Sequence, residues 1–384
     1  MSRAAITGWA WRTALGSDPD EVFSALLQGR RAARTCFGPG RLGAPLPEIP
    51  PPAPGHRRFL TASASLCVRT ALEAAQRAGC TGGPRVALFS AVGGLKVAWQ
   101  ETLPAFQKLS PDGLGAWDQG LRELHPFWLL KHLSNNAHAL ASVDLGARGE
   151  GATYGGANSG AQALVAALRC LAEGAAEVAV VMAGDSLLGP EALVELEAAS
   201  SLSRASLDQL AAPYDARATG FVPGEATAAL VLEPEAKSSG RTLAYIEAAE
   251  SSDGSAGAPS PALLARLVAE IGRGAALVDG AGLAQSGFDL AEREVLATAL
   301  GPEVPLTCEA AALGQTGAAR SLVQTMVLAA SLRRGTIPPI AGLREPAEGP
   351  LRLTARPEPT KARVALGLSV GAPGLAGAVR VELP

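Results

Sequence analysis

Residues 149–185 read GEGATYGGANSGAQALVAALRCLAEGAAEVAVVMAGD, and this stretch decides the fold. It is laid out as a strand, a sharp Gly-rich turn, a buried helix of small residues and a second strand. The head of such a helix is where a nucleophile belongs, because the helix end favours an anion and offers free N–H groups. The turn here supplies only Gly155, Gly156, Ala157 and Asn158. The scaffold of a covalent enzyme is expected without its reactive atom.

Outward from this unit the same grammar recurs. The opening AAITGWAWRTALG (4–16) predicts a buried strand running into a Gly turn, and a helix follows from about Asp18 to Gln28. Asp18 and Asp20 are its candidate caps, and Gly29 ends it. A Pro-rich surface segment spans Pro45 to Pro54, then a helix from about Leu60 to Ala78, then the strand VALFSAVGG (86–94). Residues Val97 to Ser134, with aromatics interleaved, predict an irregular excursion from the main sheet. EVAVVMAGD (177–185) is a buried strand, and APYDARATGFVPGEATAALVLEP (212–234) ends in another.

A second half begins after the polar linker AKSSG (236–240). It runs strand TLAYIEAAE, helix Pro261 to Gly272, strand AALVDGAG, helix Asp289 to Leu300, then a Gly-rich turn into a helix from Thr316 to Arg333. ARVALGLSVGA and GAVRVELP close it. Strands alternating with helices twice over imply parallel sheets covered by helices on both faces.

The chain has 384 residues, 48% of them apolar and 18% charged, which is the composition of a globular protein with a large core. Its formal net charge of −3 argues against general nucleic-acid binding. The five cysteines, Cys36, Cys67, Cys80, Cys170 and Cys308, are widely spaced without a CxxC pair, and read as reduced, buried small hydrophobes. The histidines, His56, His125, His132 and His138, lack metal-ligand spacing, so neither metal nor cofactor is expected. No long apolar run follows Arg3 and Arg12, and Val178 to Ala183 is too short to span a bilayer. The cytoplasm is the expected compartment, with no membrane association.

Four segments carry a resemblance to a known family: AITG (5–8), LGSDPDEVFSALLQG (15–29), NNAHALASVDLGARG (135–149) and, most specifically, PYDARATGFVPGEATAALVLE (213–233). The last matches at Pro213, Asp215, Arg217, Gly220, Phe221, Gly224 and Glu225. Across nearly its whole length the chain resembles the β-ketoacyl synthases of the thiolase fold. The resemblance implies an α/β architecture of two pseudo-repeated halves, 1–235 and 241–384, forming a five-layered α-β-α-β-α core. It also implies that an excursion over 95–140 reaches a dimer interface.

A working ketosynthase needs a cysteine at the head of the buried helix. It also needs two histidines that donate to the thioester carbonyl and stabilise the enolate, and a lysine beside the second. Four of these positions are degenerate here. Anchored on Ser159–Gly160, Ala157 stands where the cysteine belongs; anchored on Gly149, Asn158 does. The family's Asn-x-His-Gly-Thr segment matches DGAGLAQ, with Ala281 at the first histidine. Its Lys-x-x-x-Gly-His segment matches EAAALGQTGAA, with Glu309 at the lysine and Gly314 at the second histidine. VGAPG puts Ala372 where the gating phenylalanine of the terminal loop sits.

Such a chain resembles the chain-length factor of type II polyketide systems, which pairs as a heterodimer with a catalytic ketosynthase. The resemblance makes Phe127, Trp128, Leu130, Lys131, His132 and Leu133 the candidate tunnel-end residues, bulky groups that limit how far a growing chain extends. An ordinary apolar interface helix is the bland reading of the same segment. Asp215, Arg217 and Glu225 are expected to be internal anchors of a structural motif. Acyl carrier protein is the second implied partner, with Arg30, Arg31 and Arg34 as candidate docking charges. The alternatives are an acyltransferase-like enzyme with repurposed chemistry at Glu309 or Gln315, and a scaffold that stabilises a ketosynthase without shaping its pocket. Cys308 beside Glu309 reads as core packing.

Overall fold

The computed structural model describes residues 3–37, 41–93, 99–108, 120–238 and 240–384. Ten strands carry the architecture: β1 (Ala4–Arg12), β2 (Val86–Val92), β3 (Gly151–Gly155), β4 (Val178–Ser186), β5 (Glu225–Pro234), β6 (Ala244–Ser252), β7 (Val278–Asp279), β8 (Pro305–Thr307), β9 (Val364–Gly371) and β10 (Leu375–Glu382). The first five lie in the order β3-β2-β4-β5-β1, the second five in the order β8-β7-β9-β10-β6. Each strand of the first set therefore has a counterpart five numbers later.

The pairing senses repeat as well. β2 is parallel to β3 and β4, and β5 is antiparallel to β4 and β1. Likewise β7 is parallel to β8 and β9, and β10 is antiparallel to β9 and β6. Antiparallel pairing of Ala4–Ile6 with Ala244–Ile246 joins the two sets edge to edge.

These mixed sheets correct the expectation of purely parallel ones. β9 and β10 are joined by a turn of three residues, too short for anything but an antiparallel return. The long connection from Leu187 to Gly224, with one short helix at Pro190–Ala198, likewise brings β5 back antiparallel. The strand expected over AALVDGAG shrinks to Val278–Asp279. At Gly280 a Cβ would stand 2.1 Å from the Tyr214 hydroxyl, and the backbone turns into positive φ at Gly282.

Seven helices complete the layers: α1 (Pro19–Leu27), α2 (Ala62–Ala78), α3 (Asn136–Leu145), α4 (Ser159–Ala172), α5 (Pro261–Ile271), α6 (Ser286–Leu300) and α7 (Arg320–Arg334). α2 packs on β1, β4 and β5, with α3 beside it; α5 packs on β6 and β10, with α6 beside it. Between the sheets lie α4, which touches β2, β4 and β6, and α7, which touches β9, β10 and β5. The order is α-β-α-β-α.

Local chemistry explains the helix limits. Asp18 caps α1 by accepting from the N–H groups of Asp20 and Glu21, both at 2.9 Å. α4 earns its central place through small side chains: Ala161, Ala163 and Ala167 are fully buried, and a Cβ at Gly160 would stand 2.3 Å from the Ala318 carbonyl. Within Val97–Ser134, expected to be irregular, short helices form at Trp99–Phe106, Gly120–Glu123 and Trp128–His132. Residues 95–98 and 109–119 of the expected excursion lie outside the described residues. Among the described residues, no helix is long and apolar enough to cross a membrane.

Candidate functional site

The turn between β3 and α4 is pinned to the end of β2. Gly156, at φ +106°, donates its N–H to the Val92 carbonyl at 3.1 Å, and Ser159 Oγ donates to the same oxygen at 3.1 Å. Asn158 is buried. Its Oδ1 accepts from Ser369 Oγ of β9 at 2.9 Å, and Ser369 is in turn 2.9 Å from Ser321 Oγ of α7. Ala157 faces Gly371, where a Cβ would come within 2.5 Å of its own. The head of α4 is therefore sealed against β9, one residue before Ala372.

Ala281, Glu309 and Gly314, the second group of candidate positions, lie at one buried network. Ala281 is fully buried. Its N–H donates to Glu292 Oε1 at 2.7 Å, and its carbonyl accepts from Gln315 Nε2 at 3.0 Å. Gln315 Nε2 also donates to the Gly282 carbonyl at 2.9 Å, and its Oε1 accepts from Arg320. Arg320, at the start of α7, donates through Nη2 to the Gly280 carbonyl at 2.8 Å and to Glu309 Oε2 at 3.3 Å. Gly314 has φ +75°, and a Cβ there would lie 3.0 Å from both the Ala44 methyl and the Val222 carbonyl. An imidazole at that position would have to displace backbone.

Electrostatics tie the network shut. Burial, reinforced by neighbouring Glu309, raises Asp279 well above the usual carboxylate range, so it keeps its proton. Burial, the largest influence, would lower Arg320, but Glu309 together with the other acidic neighbours more than offsets it, and the guanidinium stays charged. Cys308 is buried and its thiol is pushed well up by desolvation, which makes it a poor nucleophile. Ligand atoms of Asp279, Cys308 and Glu309 lie within 4.8 Å of one another, but Arg320 already pairs with Glu309, and a metal cation would face that guanidinium. The donor set fits an ion-pair network better than a metal. Beside Gly282, Ala284, Ala310 and Ala311 the free space is about 10 Å³, the room of about one water.

Asp215 and Arg217 form a two-pronged pair, with Nε at 2.9 Å and Nη2 at 3.0 Å. Asp215 also accepts from the N–H groups of Arg344 and Glu345. Burial works to raise its carboxyl, yet Arg217 and these N–H groups hold it well below the ordinary range. Glu225 Oε1 accepts from Leu46 N–H at 2.8 Å and so fixes the 44–46 segment. Arg31, a candidate docking charge, is turned inward: Nη1 donates to the Leu210 carbonyl at 2.8 Å, and burial lowers it to about 10. Arg30 and Arg34 are exposed.

The six candidate tunnel residues divide. Lys131, His132 and Leu133 line a cavity of about 280 Å³. Phe127 meets Phe59 edge-on at 5.8 Å, Trp128 stacks on His132 at 5.0 Å, and Leu130 is exposed. Glu101 holds Lys131 and, at 3.2 Å, His132 Nε2. The sequence reading missed Arg320, Asp279, Gln324 and the Tyr214–Glu292 hydrogen bond of 2.7 Å. The available signal was a charged residue and an amide at Arg320 and Gln324, spaced one turn apart at the head of a helix whose middle is mostly apolar.

A profile of the β-ketoacyl synthase N-terminal domain matches residues 44–238. The tetracenomycin polyketide synthase ketoacyl synthase beta subunit of Streptomyces glaucescens is 28% identical over 269 residues, 63% of this chain and 65% of that one. An actinorhodin polyketide protein of Streptomyces coelicolor is 34% identical over 205 residues, 49% of this chain and 50% of that one. The chain thus spans between half and two thirds of these curated relatives. Among solved structures, a β-ketoacyl synthase from Burkholderia phymatum superposes with a TM-score of 0.87 at 22% identity, over the whole of both chains. The ishigamide ketosynthase/chain length factor does so with a TM-score of 0.86 at 19% identity, covering all of this chain and 99% of that one. At these identities the structures share the fold.

Proposed function

The chain belongs to the β-ketoacyl synthase family, and on that premise we propose that it is a non-catalytic chain-length factor. It pairs with an active ketosynthase and shapes that partner's acyl tunnel during decarboxylative chain elongation. The observation that carries this reading is the buried Glu309–Arg320–Gln315 network, together with Ala157 and Ala281, which offer only methyl groups where the family resemblance expects a thiol and an imidazole. Asn158 is committed to Ser369, and Ala157 borders Gly371 next to the gating position, which supports Ala157 as the nucleophile's site. The names of two similar proteins, a ketoacyl synthase beta subunit and a ketosynthase/chain length factor, support the same assignment. The strand correspondence supports a division into halves at 1–235 and 241–384.

A partner is supported by two surface features. β3 ends the sheet, with one side unpaired among the described residues, and an edge strand of this kind is a template for another chain. Leu103, Phe106, Leu121, Phe127, Leu129 and Leu130 are exposed large apolar side chains within one stretch, the mark of a protein contact. Acyl carrier protein would deliver intermediates to the partner, with Arg30 and Arg34 as the remaining docking charges.

The test is a reconstitution. The purified chain incubated with malonyl and acyl thioesters should show neither self-acylation nor turnover. Co-expressed with its ketosynthase, it should co-purify at one-to-one stoichiometry, and exchanging residues 126–134 for those of another chain-length factor should shift product length. Multiple turnover by the isolated chain would replace this reading with repurposed acyl chemistry. Unchanged products after the exchange would reduce the role to scaffolding.

A further inference from the structure

A cleft of about 460 Å³ opens between β1, the start of α1, the last turn of α2 and the C-terminal half of α7. Trp9 and Trp11, two apart on β1 and so on one face of the strand, form its floor; Trp11 is buried and Trp9 half-buried. Met326 and Ala330, one turn apart on α7, line it beside them. Four exposed side chains make the polar rim: the guanidiniums of Arg77, Arg333 and Arg334 and the carboxylate of Asp20.

The charges at the rim do not balance. Arg77 pairs with Glu73 at 2.6 Å, and Glu73 also takes Arg12 at 2.6 Å. Arg334 pairs with Asp20 and stands 4.9 Å over the Phe23 ring. Arg333 donates to the Leu243 carbonyl at 3.1 Å and pairs with no carboxylate among the described residues. Four guanidiniums therefore meet two carboxylates, a local excess of two positive charges in a chain whose net charge is −3. Hydrogen-bonding capacity leans the same way. Guanidiniums only donate, and the buried indole N–H of Trp11 has no acceptor among the described residues.

We propose that this cleft binds a phosphate monoester carried on a flat aromatic body. Such a group brings about −1.5 to −2 charges near pH 7, which matches the excess at the rim. It accepts hydrogen bonds from guanidiniums in the two-pronged geometry that arginine favours, and it adds no donor to a wall already rich in them. The indoles select the body, because a planar ring packs well against another aromatic ring beside a cation. On the scale by which an apolar cavity of about 150 Å³ takes benzene, the cleft admits at most about eighteen heavy atoms. Two fused rings and their phosphate fit within that.

The experiment is calorimetric titration of the purified chain, in low-salt buffer, with 1-naphthyl phosphate, inorganic phosphate and 1-naphthol in separate runs. The expected result is saturable one-to-one binding of 1-naphthyl phosphate, at least tenfold tighter than either of the others. Arg333→Gln, an exposed substitution that should leave the melting midpoint unchanged, should weaken that binding at least tenfold. Trp9→Leu should weaken 1-naphthyl phosphate equally and leave inorganic phosphate unaffected; if it does not fold, Ala330→Phe fills the cleft from α7 and should weaken 1-naphthyl phosphate as much. Inorganic phosphate bound as tightly would mark an adventitious ion only, and 1-naphthol bound as tightly a merely apolar cleft. Either result, like absent saturable binding or an unaffected Arg333→Gln variant, would overturn the proposal. Because the isolated chain is titrated, the outcome is independent of the reconstitution that tests the chain-length reading.

Discussion

Replacing Arg320 with methionine should destabilise the protein by about 3–5 kcal/mol, because a buried ion pair that loses one partner leaves the other charge uncompensated. Arg320 is 3% exposed, and its guanidinium serves Glu309, Gln315 and the Gly280 carbonyl. A chain of this length unfolds with an entropy of about 0.8 kcal/mol/K, so the melting midpoint should fall by about 4–6 °C. Glu309→Gln alone should also destabilise, since it strands the cation. The double variant Arg320→Met/Glu309→Gln should recover at least about 2 kcal/mol relative to the sum of the singles, the coupling of two groups in direct contact. Thermal and urea unfolding of the four proteins supply the cycle. A single-variant loss below about 1 kcal/mol, or coupling indistinguishable from zero, would refute the network. Glu309 would then be free to serve as a general base.

Three further outcomes follow from the same structure. Asp289 is raised to about 7, first by burial and then by Glu292, so the folded state keeps a proton that the unfolded chain releases near pH 4. Its stabilising contribution is full below about pH 4 and is lost as pH rises to about 7. Stability of Asp289→Asn relative to wild type should therefore climb by about 3–4 kcal/mol between pH 4 and 8, and a pH-independent difference in urea midpoints would contradict the raised value. Ala157→Cys should acquire no condensing activity with malonyl thioester, because Ala281 and Gly314 supply no imidazole; measurable product release would overturn the assignment of those positions. Leu129→Asp/Leu130→Asp should leave the melting midpoint within about 1 °C, as exposed substitutions do. It should also weaken retention of the co-expressed ketosynthase at least tenfold, since apolar anchors carry most interface energy; full retention would move the interface elsewhere.

The fold was legible wherever periodicity or punctuation was strong. Asp18 before a run of apolar residues marked α1 within a residue, Gly79 closed α2 as an αL cap, and Pro261 opened α5 where expected. What escaped was non-local. Strand sense in β5 and β10 depends on connections whose geometry a one-dimensional pattern does not encode. The reduction of β7 follows from Tyr214 and Gly280 meeting across 66 positions of sequence. The proposed loss of catalytic side chains rests on the residues read at Ala157, Ala281 and Gly314. The buried network beside them was not legible, because Arg320 and Gln324 look like ordinary helix residues until the sheets close over them. Arg31 misled for the opposite reason: a basic residue after a helix end reads as solvated, and here it reaches back to the Leu210 carbonyl.

On the proposed non-catalytic reading, loss of chemistry and closure of the pocket are physically one event. A ketosynthase site has to remain open for a thioester, and an open polar cavity in a core costs packing that only catalysis repays. Once Ala157 offers no thiol, nothing opposes collapse. Gln315 can then bridge Ala281 and Gly282, Arg320 can neutralise Glu309, and Asp279 can keep its proton. Each of these contacts stabilises the closed form and must be broken to reopen it, so no single substitution restores the site. What the fold retains is its rigid outer surface, the edge of β3 and the apolar helix around Leu129. These are the features a partner subunit can use, and closure of the old pocket leaves them untouched.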